Sequence, residues 1–406
     1  MITRNFALPF NAEFRPNRPP PYNVGVRILI SAGEASGELY GAQLIESLRR
    51  KDPSLEFFGV GGERMRTAGC DTVFDSSDLA VVGITEIVGH LPKIYERFRK
   101  LMREAERRAP DLAVVIDSPA FNWRVARQMH KRGIPVVYYV CPQFWAWRQG
   151  RVRLLRKYVA KALVIFPFEE KFYRNRGVNA SFVGHPLAEL PHPAIERGEY
   201  ASRYGLDQEK HWITLMPGSR VKEVRMNLPV MLQAARQFGR ALEFLLPVAH
   251  TLDADFLRSQ VGQRMVTLVP EALPALWHSR AGVVASGTAT VEAAMMSTPF
   301  VMVYRVSRLT YLLGRPRVKV PHFAMVNLIA GEEVIPELVQ QDFTVENVVA
   351  RLNVIIPDGA ARDAMIEGLA RVKARLRAPD SGDGRQPAER AAETVLGLLH
   401  LDAIQR

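Results

Sequence analysis

Short apolar runs alternate along this chain with stretches whose apolar residues recur at helical spacing. The first run, Val26 to Ala32, predicts a strand, and Ser36 to Lys51 predicts a helix with Leu39, Leu44, Ile45 and Leu48 on one stripe. Strand-like runs recur at Glu56–Val60, Leu112–Ile116, Pro135–Val140, Ala162–Ile165 and Ser181–Val183. Helical patterns at Arg97–Arg108, Asn122–Lys131 and Arg151–Tyr158 separate several of them. Residues 186–210 open on a Pro-rich stretch of little apolar content and read as a linker. The alternation then restarts, with strands at Trp212–Met216, Glu243–Leu246, Met265–Leu268, Ala281–Ala285 and Phe300–Val303. Helical patterns at Lys222–Phe238, Leu252–Val261, Leu273–His278 and Thr290–Met296 lie between them. Strand–helix alternation of this kind predicts an α/β fold with parallel sheets covered on both faces. The expectation is two Rossmann-like, doubly wound domains, residues 26–185 and 211–378, facing across a cleft at the carboxyl ends of their strands. Residues 1–25 read as a disordered Pro-rich leader. After a break at 379–384, a last helix at Pro387–Leu399 is expected to fold back onto the first domain.

Charge narrows the partners. The net charge is +12, and the first 27 residues contribute only +3 of it (Arg4, Arg15, Arg18 and Arg27 against Glu13). A basic body fits nucleic acid, an anionic membrane surface or phosphorylated substrates. The two cysteines, Cys70 and Cys141, imply no disulfide framework and point to a reducing compartment. No signal-peptide pattern and no apolar run of about 18 residues occurs.

Two turns carry the strongest chemical signal. Pro217-Gly218-Ser219-Arg220 and Ser286-Gly287-Thr288-Ala289-Thr290-Val291-Glu292 each leave an apolar run and enter a helical pattern. Small and hydroxylated residues at a helix start leave backbone N–H groups open to a diphosphate. Arg220 adds a planar cationic fork, and Glu292 can accept hydrogen bonds from a ribose. Together they read as a site for a nucleoside diphosphate that carries a sugar.

Other motifs admit two readings. Ser31-Ala-Gly-Glu-Ala-Ser-Gly-Glu38 leaves the first strand; it is neither a dinucleotide fingerprint nor a P-loop. Its small residues suit helix–sheet packing, with Ser36 as N-cap, while Glu34 and Glu38 are acids near a strand's carboxyl end. Asp117 stands just past Leu112–Ile116, where it is either a general base at a cleft rim or a turn cap before Pro119. Cys141 to Arg148 combines three aromatics with a following basic run, suited to stacking bases or to lining a sugar or lipid cleft. Leu79 to Leu91 is unusually apolar and is followed by a basic stretch from Lys93 to Arg108, a combination that suits a membrane surface or a core helix. His185 is either a base or a hinge residue. Asp253-Ala-Asp255 reads as a helix cap rather than a cation site, and no metal is expected.

Taken in order, these blocks resemble the lipid-A-disaccharide synthase family, inverting glycosyltransferases of the GT-B type. The resemblance runs from about residue 26 to 350 and is carried by SAGEASGE (31–38), GVGGERM (59–65), LAVVGITEIVG (79–89), IDSPAFN (116–122), FWAWRQGR (144–151), FVGHPL (182–187), PGSR (217–220), SGTATVE (286–292) and NLIAGEEVIPELVQ (327–340). Glu38 departs from the family's usual Asp, and Val326 from its usual Pro. The resemblance implies transfer from UDP-2,3-diacylglucosamine to 2,3-diacylglucosamine 1-phosphate (lipid X), giving UDP and a β(1→6) disaccharide. It implies Asp117 as the base, with Glu34 in reserve, and a phosphate or sugar contact for Asn327. It places Val81, Val82, Ile84, Ile87 and Val88 on an acyl-chain or membrane surface. No cofactor, no metal and no nucleic-acid partner are expected, and the location is cytoplasmic, peripheral on the inner face of the cytoplasmic membrane. The nearest rival is a UDP-N-acetylglucosamine 2-epimerase or another GT-B transferase; a nucleic-acid-binding protein leaves both phosphate turns unexplained.

Overall fold

The computed structural model describes residues 25–404, apart from 34, 80–83, 190–191, 250, 262–265, 308–309, 313–314, 316–317, 319 and 379–383. The first domain runs β1 (Arg27–Ala32), α1 (Ala35–Lys51), β2 (Glu56–Gly61), α2 (Glu63–Thr67), β3 (Cys70–Asp75), α3 (Ile84–Arg108), β4 (Leu112–Ile116) and α4 (Pro119–Lys131). It continues with β5 (Val136–Tyr139), α5 (Phe144–Trp147), α6 (Val152–Tyr158), β6 (Lys161–Val164), α7 (Pro167–Arg174) and β7 (Ala180–Phe182). All seven strands are parallel in the order β3-β2-β1-β4-β5-β6-β7.

The second domain opens with α8 (Arg197–Tyr204), β8 (His211–Met216), α9 (Val221–Phe238), β9 (Leu242–Pro247), α10 (Ala254–Val261), β10 (Thr267–Val269), α11 (Ala272–His278) and β11 (Ala281–Ala285). It goes on through α12 (Thr288–Met295), β12 (Phe300–Tyr304), α13 (Met325–Ala330), β13 (Glu337–Val339), α14 (Val345–Ile355) and α15 (Ala360–Leu376). Its parallel sheet has the order β10-β9-β8-β11-β12-β13. The central strands β4 (LAVVI) and β11 (AGVVA) are buried along their whole length, which is why they read as unbroken apolar runs.

Each sheet therefore reverses its winding once, between β1 and β4 in the first and between β8 and β11 in the second. Ligands of open α/β sheets bind at such reversals, beyond the carboxyl ends of the strands. Four of the motifs singled out above, SAGEASGE, Asp117, PGSR and SGTATVE, leave these four strands.

The stretch read as a linker is shorter than expected. Helix α8 lies within it and packs on the second domain: Tyr200 is buried with its ring 6.0 Å from that of Trp212. Its few apolar residues hid the helix, because Tyr200 and Ala201 are its buried residues. Helices α2 and α7 also went unread, each being short, and so did β3, whose apolar run is broken by Asp71, Thr72 and Asp75. Helix α1 begins at Ala35, so Ser36 sits inside the first turn rather than capping it.

The last helix, α16 (Pro387–Ile404), returns to the first domain and packs along α1, burying Ala391, Ala392 and Val395. Arg50 pairs with Glu389 and Lys51 with Glu393, both at 3.1 Å. The outgoing and returning chains meet at the hinge, where the His185 N–H donates to Leu376 O at 2.8 Å. Gly184, with φ +92°, lies against Ala378 and Pro387.

Candidate active site

Asp117 and Ser118 follow β4 in the left-handed region, at φ 47° and 45°. Two consecutive non-glycine residues there are costly, and such strain persists only where the surroundings hold it. Here the Asp117 N–H donates to Tyr139 O at 3.2 Å, and Tyr138 Oη donates to Asp117 O at 2.8 Å. Buried Asn122 donates from Nδ2 to the carbonyls of Ser31, Ile116 and Asp117, and accepts from Ser31 Oγ at 2.7 Å. The carboxyl ends of β1 and β4 are thus tied together beneath Asp117. Gly33 completes the fit, since a Cβ there would stand 2.3 Å from Ser118 Oγ. Gly33 of SAGEASGE is therefore needed for close approach to the Asp117 turn.

The second domain supplies an anion cradle. Helix α9 starts after Arg220 and α12 after Gly287, on the neighbouring strands β8 and β11. Gly218 and Gly287 hold φ +122° and +138°, conformations that L side chains rarely adopt. The space beside Gly287 is open, with nothing within 4 Å of a notional Cβ. Ser286 Oγ donates to Phe323 O, and Thr290 Oγ1 donates to Gly287 O, so these two hydroxyls brace the turn. At PGSR the carboxylate of Glu223 accepts from the Ser219 N–H at 3.0 Å and pairs with the exposed Arg220 at 3.3 Å. A protein carboxylate thus occupies donors suited to a phosphate.

Tyr40, a buried phenol on α1, feels charge from both halves. Its pKa is raised by burial and further by the negative charges of Asp117 and Glu292. Glu292 lies one turn into α12, and burial raises its own pKa. An acid from each domain therefore acts on one phenol.

Other expected site residues fall elsewhere. Asn327 is fully buried and its amide is engaged within its own domain. It donates to Ile335 O and Glu337 Oε1 and accepts from the Val334 and Ile335 N–H groups. That set leaves no free donor for a ligand, and the residue braces the loop into β13. Glu38 accepts from the Arg64 N–H at 2.8 Å and so caps α2. His185 is buried, accepts from the Leu187 N–H on Nδ1, and has its pKa driven down to about 3 by burial, so it is a neutral hinge residue. Asp253 Oδ1 accepts from the Asp255 N–H at the start of α10, as a cap does. Glu34, Val81 and Val82 lie outside the described residues. Ile84, Ile87 and Val88 fall in the opening turns of α3, with their side chains outside the described set.

A family profile described as lipid-A-disaccharide synthetase matches residues 28–377. The lipid-A-disaccharide synthase of Koribacter versatilis is 54% identical over 378 residues, covering 92% of this chain and 98% of that protein. The enzyme of the same name from Acidobacterium capsulatum is 49% identical over 371 residues, covering 87% and 92%. The chain belongs to the lipid-A-disaccharide synthase family. It is thus a UDP-sugar-dependent glycosyltransferase of lipid A biosynthesis. Solved structures share its fold: the glycotransferase of kitacinnamycin, at 14% identity, superposes with a TM-score of 0.62 over 92% of this chain and 99% of that one. A UDP-GlcNAc 2-epimerase from Neisseria meningitidis bound to UDP-GlcNAc, 11% identical, gives 0.60 over 92% and 99%. The GT-B architecture is shared by transferases and epimerases alike, and the sequence relationship separates them.

In this lipid-A-disaccharide synthase family member, one buried network escaped the sequence reading. Glu169, at the start of α7, is 1% exposed and accepts from Trp145 Nε1 at 2.8 Å and from the Phe166 and Ile165 N–H groups at 3.1 and 3.3 Å. Burial pushes its pKa up to about 7 against those three hydrogen bonds. Tyr173 Oη donates to Pro142 O, so two side chains of α7 hold the aromatic loop that follows β5, next to Asp117. The signal was available as Pro167-Phe-Glu169 straight after a strand, a helix-start pattern with an acid at N3.

Proposed function

We propose that this protein joins UDP-2,3-diacylglucosamine to 2,3-diacylglucosamine 1-phosphate, releasing UDP and forming a β(1→6)-linked disaccharide 1-phosphate. The observation that carries the reading is the meeting of two switch points, one bearing a strained acid and the other an anion cradle. An α-linked donor giving a β product calls for one in-line displacement. The acceptor 6-hydroxyl oxygen attacks the anomeric carbon of the donor as the bond from that carbon to the UDP oxygen breaks. The hydroxyl proton passes to the Asp117 carboxylate, and the electron pair leaves on UDP. The N-terminal turns of α9 and α12, with Ser219 and Arg220, meet the diphosphate charge. Glu292 accepts from the ribose hydroxyls. Protein donors alone carry out this neutralisation, without a metal. The apolar sequence of residues 79–91 serves the acyl chains and the cytoplasmic-membrane surface, where the protein sits peripherally.

The test is turnover of both lipids in detergent with EDTA present, following UDP and the disaccharide by mass spectrometry. Disaccharide with EDTA supports the reading and its metal independence. Epimerised UDP-sugar without disaccharide would replace it with the epimerase reaction, and UDP release without disaccharide would replace it with donor hydrolysis.

A further inference from the structure

One stripe of α7 is given over to a loop of the first domain. Glu169, Tyr173 and Arg176 stand at i, i+4 and i+7, a spacing that puts them on one helical face, with Arg176 just past the helix end. Glu169 accepts from Trp145 Nε1 at 2.8 Å, and Tyr173 Oη donates to Pro142 O. Arg176 donates to Gln149 Oε1 at 3.3 Å, and Gln149 Nε2 donates to Trp145 O at 2.9 Å. The loop so held, residues 142–149, leaves β5 beside the Asp117 turn, since Ile116 pairs with Tyr139 across β4 and β5.

Helix α7 does not need this hold for its own sake. Glu169 is buried with no cation among its described partners. A buried carboxylate without a counter-ion is costly, and a Ser or Asp N-cap would satisfy the first turn of α7 without it. The entry to the loop is strained as well: Val140, a β-branched residue, lies in the left-handed region at φ 56°. Such strain persists only where the surroundings fix it, and it gathers at functional sites. The hold turns one tryptophan in and leaves the next one out. Trp145 is 5% exposed and meets Phe168 edge-on at 4.9 Å, whereas Trp147 is 46% exposed. The Arg148 guanidinium lies 3.8 Å from the Trp147 ring centroid. An open indole offers an apolar face to a sugar ring, and a guanidinium offers a fork to a phosphate. The head of α7 is itself set on the hinge, with Phe168 stacked on Phe166 and Phe166 5.2 Å from His185.

We propose that Glu169 is a positioning residue for the acceptor, fixing Trp145 so that Trp147 and Arg148 are presented to the glucosamine 1-phosphate beside Asp117. The role rests on the reaction proposed above and adds to it the residues that seat the polar end of the acceptor.

The experiment compares the natural chain with Glu169→Gln and Trp145→Phe in detergent above about pH 7, where the Glu169 carboxylate is ionised. Glu169→Gln keeps the shape but offers one oxygen to three N–H donors. Trp145→Phe keeps a ring against Phe168 and removes the indole N–H; it serves where Glu169→Gln is poorly folded. Each should lower kcat/KM for the acceptor roughly tenfold, the worth of one charge-assisted hydrogen bond, through KM rather than kcat. UDP affinity by calorimetry should be unchanged. The double variant should lose no more than the worse single one, because both changes cut the same bond. In the proton–nitrogen spectrum, the indole signal that Trp145→Phe deletes should shift in Glu169→Gln. Unchanged acceptor kinetics in both variants would overturn the proposal, as would an unmoved indole signal. Equal losses of acceptor and UDP affinity would do so too, since they mark a structural role. Absence of disaccharide from the natural chain would strike the proposed reaction itself, and this role with it.

Discussion

At the scale of single residues, the site divides between groups that act and groups that hold them. Asp117→Asn keeps the size and the backbone bonds to Tyr138 and Tyr139 while removing the proton acceptor. Turnover should fall by at least about hundredfold, the usual contribution of a positioned base, with UDP binding by calorimetry unchanged. Near-normal turnover would transfer the base role elsewhere, with Glu34 next in line. Arg220 is exposed and, among the described residues, pairs with Glu223 alone, so it can reorient toward a diphosphate. Arg220→Ala should lower kcat/KM for the donor by roughly ten- to hundredfold, the worth of a charge-assisted hydrogen bond. Glu223 makes the sharper case, because its carboxylate must release the Ser219 N–H and Arg220 before a phosphate takes them. Glu223→Gln weakens that competitor and should lower the donor KM. A raised KM would mean that Glu223 instead positions Arg220.

Elements explain what was legible and what was not. Long buried strands such as β4 and β11 declare themselves through composition, and the four turns at the strand ends declare themselves through Gly, Ser, Thr and acids. Asn327 misleads because a polar residue in a motif reads alike whether it faces a ligand or fills the core. Only its four internal hydrogen bonds decide the matter. Short elements fail for lack of periodicity: α8 and α2 bury one or two residues each. Helix α7 hides its function because Glu169 is matched to Trp145, distant along the chain. The Glu169 carboxyl titrates higher folded than unfolded, so the folded state binds the extra proton between about pH 4.5 and 7. Stability from this group is present below that window and declines as pH rises through it. Thermal melts should show this loss, on the order of 2–3 kcal/mol, in the natural chain. It should be absent in Glu169→Gln, whose side chain does not titrate. Parallel pH profiles for the two proteins would show that the carboxylate is already ionised in the folded state.

For the whole molecule, the decisive feature is that the chain crosses between its domains twice. The first crossing is the buried Gly184–His185 hinge, and the second brings α16 back onto α1, the helix that carries Tyr40 toward Glu292. The second domain needs nothing from α16 to build the α9 and α12 turns. Ending the chain before Pro387 should therefore leave UDP binding close to normal. It would expose Ala391's partners on α1 and remove the Arg50–Glu389 and Lys51–Glu393 pairs, loosening the position of Asp117 relative to the cradle. Because in-line displacement tolerates little misplacement between base and leaving group, transfer should fall at least about tenfold while UDP affinity holds. Calorimetric unfolding should split from one transition toward two as the domains uncouple. Full transfer activity in a chain that still melts in one step would show that the hinge alone fixes the relation of the domains. Loss of UDP binding together with transfer would show that the second domain depends on the first for its fold.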